Sequence, residues 1–156
     1  MMTMTRRAAL LAAGTAALLH GLPVGAQTLP AIHVVKDPTC PCCNAWMGHL
    51  RDNDFPVSFE ERSVAALEEY KREQGVPVDL ASCHTGTVEG YVLEGHVPAA
   101  DIRRLLAERP QAVGLTVPGM PYGAPGMGPE TERAAYEVIL IGRDGTTSVF
   151  ASYAAA

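Results

Sequence analysis

The stretch DPTCPCCNAW, residues 37–46, places Cys40, Cys42 and Cys43 within four consecutive positions of a chain that holds four cysteines in all. The segment before it, AIHVVKD (31–37), is a short apolar run bounded by Pro30 and Pro38 and predicts a buried strand. The segment after it, CPCCNAWMGHLRDN, predicts a helix: Thr39 can cap it, and Pro41 falls in the first turn, where its missing N–H costs nothing. Trp46, Met47 and Leu50 recur at helical spacing and should face the core. A strand that runs into a helix whose N-terminus carries C-x-x-C is the start of a thioredoxin-like α/β layer.

Outward from this unit the pattern continues. FPVSFEER (55–62) alternates Phe55, Val57 and Phe59 as a second strand, and SVAALEEYKREQG (63–75) reads as a helix opened by Ser63 and closed by Gly75. GTVEGYVLEGHV (86–97) reads as a hairpin-like pair of strands, followed by a helix from Pro98 that ends before Pro110. A Gly/Pro/Met-rich loop is expected from Gly114 to Pro129, longer than the ~12–15 residues usual for a connection and therefore functional or mobile. YEVILIGRDGTTSVFASY (136–153) closes the chain as two strands joined through Asp144-Gly145. The expected fold is α/β, thioredoxin-like, with an inserted loop and a C-terminal β-hairpin.

Residues 1–26 have a basic start at Arg6 and Arg7, an apolar run from Ala8 to Leu19 and small residues ending at Ala26, which is the layout of a secretory signal. The apolar run is shorter than the ~20 residues a spanning helix needs. Cleavage before Gln27 would leave residues 27–156 as one domain with no membrane span, placed in a periplasm; the arginine pair leaves both the general and the twin-arginine export routes open. The leader carries two of the twelve basic residues and none of the seventeen acids, so the remainder has ten against seventeen, a net charge of −7 with His neutral. That acidity disfavours nucleic acid and anionic membranes as partners and favours cations.

Four cysteines in an exported chain could be two structural disulfides, of which Cys40–Cys43 with Cys42–Cys83 is the only unstrained pairing. The first of these closes too short a loop to stabilise much, so the crowding suits chemistry better than stapling. In a redox reading, Cys40 is the exposed attacking thiol and Cys43 the resolving one, both activated by the helix N-terminus. Cys42 has no task in that scheme. In a metal reading all three are used, because closely spaced thiolates bridge soft ions, and C-x-C-C does not match the usual zinc template. Further soft donors follow: Cys83 and His84 in SCHTG, and Met120 and Met127 in two Pro-Gly-Met triplets. His96 is a weaker candidate, and His33 and His49 read as structural or surface positions.

CPCCNAW, the segment GVPVDLASCHTGTVEGYVLEGHVPAADIRRLLAERP, GLTVPGMPYGAPGMG and the closing hairpin together resemble, in order and spacing, a family of small exported bacterial proteins that includes the CopG-type copper-resistance proteins. The resemblance runs from about Ile32 to Tyr153, with Pro41 where glycine is common in the family. It implies a thioredoxin-like fold with an insertion and a multinuclear copper centre on Cys40, Cys42, Cys43 and Cys83, with His84, Met120 and Met127 as further ligands. It also implies a role in periplasmic copper homeostasis, with Cu(I)/Cu(II) cycling that would make the protein a copper oxidoreductase and other copper-handling proteins its partners. The alternatives carried beside it are a thiol–disulfide oxidoreductase acting through Cys40 and Cys43, and a disulfide-stapled interaction module without chemistry of its own.

Overall fold

The computed structural model describes residues 28–156; the leader segment expected over 1–26 lies outside the described residues. Strand β1 (Ile32–Lys36) leads into helix α1 (Pro41–Asp52), then β2 (Val57–Glu61), α2 (Val64–Glu73), β3 (His84–Val88), β4 (Tyr91–Glu94), α3 (Ala99–Glu108), β5 (Ala112–Thr116), β6 (Tyr136–Gly142) and β7 (Thr147–Tyr153). The strands form one mixed seven-stranded sheet in the order β2-β1-β3-β4-β5-β6-β7. The β1–β2 and β4–β5 pairs are parallel, each joined through a helix, and the remaining pairs are antiparallel. The fold is thus mixed α/β with three helices, and the C-terminal hairpin is present as β6 and β7.

The periodicity that predicted α1 is realised: Cys43, Trp46, Met47 and Leu50 are its buried face. Trp46, Met47 and Leu50 pack with Ile102 and Leu105 of α3 and with Leu93 and Leu115 of the sheet in one hydrophobic cluster. Trp46 also donates its indole N–H to the Val97 carbonyl (2.9 Å), so the largest core side chain leaves no unpaired donor. Ser63 caps α2 as expected, its hydroxyl accepting from the Ala66 amide.

Two expectations are corrected. Thr39 does not cap α1; its hydroxyl and its amide both donate to the Asp37 carboxylate, and the cap position falls to Cys40 with no side-chain acceptor. The loop expected from Gly114 begins later, because residues 112–116 form β5. Gly114, expected to open the loop, instead faces Val92 in register, and a Cβ there would collide with the Val92 backbone. The glycine permits close strand pairing and does not break it.

The pairing register gathers the ends of four strands at one end of the sheet. Lys36, the last residue of β1, pairs with His84, the first of β3; Glu94, the last of β4, is opposite Thr85 and alongside Thr116, the last of β5. The start of α1, the start of β3, the turn after β4 and the loop after β5 therefore converge.

Candidate metal centre

Cys40, Cys42 and Cys43 sit at the N-terminus of α1, with Cys43 fully buried and the other two half-buried. Because no side chain caps this helix, its first-turn amides lack a side-chain acceptor, and the positive end of the helix favours thiolate charge on the cysteines. Cys40 and Cys43 are joined as a disulfide, with Cα atoms 5.5 Å apart, while Cys42 and Cys83 are free. Cys83 arrives from the segment before β3: its Sγ lies 3.7 Å from that of Cys42, and the Cys40 and Cys42 sulfurs are 3.2 Å apart. All four sulfurs lie within 4.8 Å of one another. The sequence-predicted cysteines thus form one group.

A buried polar network holds the Cys83 segment in place. Glu94 is fully buried and accepts from Lys71 Nζ (2.6 Å), from the Ser82 amide (2.6 Å) and from Thr85 Oγ1 (2.7 Å). Lys71 also donates to Thr85 Oγ1 (2.9 Å), so residues on both sides of Cys83 and His84 are tied to β4 and α2. Satisfied buried networks of this kind fix geometry, whereas a half-satisfied one would be costly. The sequence reading missed Lys71, which falls in a charged run; its signal is the four-residue spacing from Leu67, the other buried residue of α2.

His84 and His96 are both fully buried beside Cys83. The Cys83 sulfur is 3.2 Å from His84 Nδ1 and 3.3 Å from His96 Nε2, and the two rings meet edge to face at 5.0 Å. His96 Nδ1–H donates to the Pro125 carbonyl (2.8 Å). Burial, and then the neighbouring His96, holds His84 well below the usual histidine range; burial also lowers His96, so both rings are neutral at pH 7. The Cys83 thiol is pushed up to about 12, first by burial and then by Cys42 beside it, with Lys71 opposing. Without a bound metal ion Cys83 therefore stays protonated, and a bound soft ion would displace that proton. His84 Nε2 is the one buried side-chain polar atom among the described residues without a hydrogen-bond partner. Soft sulfur, neutral imidazole and an unpaired buried nitrogen are a donor set that fits copper.

The two methionines part company. Met127 is half-buried and lines a shallow pocket of about 430 Å³ with Cys42, Pro41 and Tyr122, whereas Met120 is 56% exposed and lies away from it. Gly126, at φ +84°, lets the loop touch helix α1: a Cβ would come within 2.6 Å of the Trp46 amide nitrogen. His49, read as structural or surface, is structural. Its Nε2 accepts from the Ala99 amide (3.2 Å) at the start of α3.

A family model described as a protein of unknown function, DUF411, matches residues 80–127, the span that supplies Cys83, both buried histidines and both methionines. Two solved structures, Form 1 and Form 2 of the copper resistance protein copG, are each 44% identical to this chain. Each comparison covers 80% of this chain and 98% of the other, with a TM-score of 0.74. No curated protein matches the chain.

Proposed function

The chain belongs to the family of the copper resistance protein copG, and from that premise we propose that it is an exported copper-handling protein of copper homeostasis. It holds copper on Cys40, Cys42, Cys43 and Cys83 and cycles it between Cu(I) and Cu(II). The observation that carries this reading is the convergence of four cysteine sulfurs within 4.8 Å. Sulfurs so close bridge ions when they bind them, so the copper load is multinuclear. Met127, which lines the same pocket as Cys42, is the better placed thioether donor, His84 beside Cys83 is a further nitrogen donor, and the exposed Met120 is set aside.

The Cys40–Cys43 pair supplies the electrons. Two thiolates reduce two Cu(II) to two Cu(I) and become the disulfide; a dithiol donor, taking the disulfide in its place, restores them. A C-x-x-C pair at the start of α1, after β1, is the arrangement of a thioredoxin-like scaffold, and we read the fold in that sense. The same disulfide favours a second reading, a thiol–disulfide oxidoreductase acting on other exported proteins. The two readings differ over Cys42, which a dithiol exchanger does not use.

Copper titration of the fully reduced protein, with ions counted by native mass spectrometry, tests the choice. Cys42→Ser nearly preserves volume and leaves the 40–43 pair intact. The expected outcome is fewer Cu(I) ions per chain while dithiol exchange survives. A variant that keeps the full copper count but loses exchange would assign Cys42 to the redox couple and end the copper reading.

A further inference from the structure

Closing Cys40–Cys43 removes two of the four sulfurs as thiolate ligands, yet a second set of donors is untouched by that closure. Cys83 Sγ, His84 and His96 each offer one ligand atom, all within 4.8 Å of one another. His96 donates through Nδ1–H to the Pro125 carbonyl, so the lone pair of its neutral ring is on Nε2, directed at Cys83. A hydrogen-bonded Nδ1 behind a free Nε2 is how proteins orient a ligand histidine. A single thiol proton on Cys83 can serve only one of its two imidazole neighbours, and His84 is left with the unpartnered Nε2. The pocket is overfurnished with lone pairs for a site whose purpose is packing alone.

We propose that Cys83, His84 and His96 form a second copper seat, one sulfur and two imidazole nitrogens, that holds a single ion while Cys40 and Cys43 are joined. The inference rests on the copper reading above. Cys83 belongs to both groups and is 3.7 Å from Cys42, so an ion on this seat is already in contact with the four-sulfur cluster when reduction opens it. Imidazole accepts either copper oxidation state, whereas an all-thiolate cluster selects Cu(I). The seat therefore gives the oxidised protein a place for copper that the cluster cannot offer in that state. Binding exchanges the Cys83 proton for the ion and requires no redox step.

The test uses the protein with its 40–43 disulfide closed, checked by intact mass, and Cu(I) supplied anaerobically from a competing chelator. One ion should bind per oxidised chain, and X-ray absorption should show nitrogen as well as sulfur around it. His96→Gln should weaken copper binding by the oxidised form by roughly tenfold or more, since even indirect partners of a metal ligand are worth ten- to hundredfold. The reduced form of the same variant should keep a multinuclear load, which also reports that it has folded. A sulfur-only coordination shell in the wild type, or unchanged oxidised-form affinity in His96→Gln, overturns the proposal. Absence of copper from both the oxidised and the reduced wild type instead defeats the copper reading itself.

Discussion

At the scale of one residue, His49 links the two helices that flank the site. Helix α3 starts at Ala99 after Pro98 and has no side-chain cap, so its Ala99 amide is satisfied by the lone pair of His49 Nε2 across from α1. Burial lowers the pKa of His49, with Asp52 and Glu130 pulling it up and Arg103 pulling it down. A folded-state pKa below 6.5 means that the unfolded chain binds the extra proton first. Stability is then complete above about pH 6.5 and is lost as the pH falls below it. Protonation also removes the acceptor and sets a positive charge at a helix N-terminus. His84 and His96 are buried neutral as well and add a slope of the same sign. His49→Gln offers an amide oxygen as a replacement acceptor that does not titrate. Denaturant melts of metal-free protein from pH 7.5 to 5 should show a shallower loss of stability in this variant. At neutral pH the difference from wild type should be about 1 kcal/mol or less, the usual worth of a cap. Identical pH slopes would show that the His49 contact does not titrate with folding.

At the scale of elements, the connection after β5 behaves as a built part. Gly123 N–H donates to the Met127 carbonyl and Met127 N–H to Ala124, closing the turn that carries Met127, while Pro125 receives His96. Gly126 seats the turn against Trp46. Met127 is thereby held beside Cys42 and Met120 is not, which separates two residues that look equivalent as Pro-Gly-Met triplets. Leu substitutions at each position conserve volume and should change stability by less than about 1.5 kcal/mol. Met127→Leu should weaken Cu(I) binding severalfold in a chelator competition, and Met120→Leu should leave it unchanged. The reverse ranking would remove Met127 from the site. The same segment shows where sequence legibility ends. The β1–α1 unit was readable because the prolines and the helical spacing of Trp46, Met47 and Leu50 act locally, although the cap itself falls on Cys40 and not on Thr39. Strand β5 was not, since its glycine is explained only by the pairing partner Val92. The cysteine cluster was readable from spacing. The approach of His96 to Cys83 was not, because it depends on the β3–β4 pairing that returns residue 96 to the side of residue 83.

At the scale of the whole molecule, four chain segments meet at one end of a single sheet, and the proposed function needs a compartment where Cys40–Cys43 can close. A disulfide of that kind persists outside the reducing cytosol. Among the described residues no helix is long and apolar enough to cross a membrane. Leu29, close after the expected cleavage position, packs against the hydrophobic core. We propose that the basic start, apolar run and small residues of 1–26 are a leader removed before Gln27. A chain produced as residues 27–156 should match the full-length product in thermal stability and in copper count. Protein recovered from a periplasmic fraction should begin at or near Gln27 by N-terminal sequencing. An intact Met1 in that fraction would make the segment a retained anchor, and cytosolic retention with both thiols reduced would remove the disulfide-closed state on which the second copper seat depends.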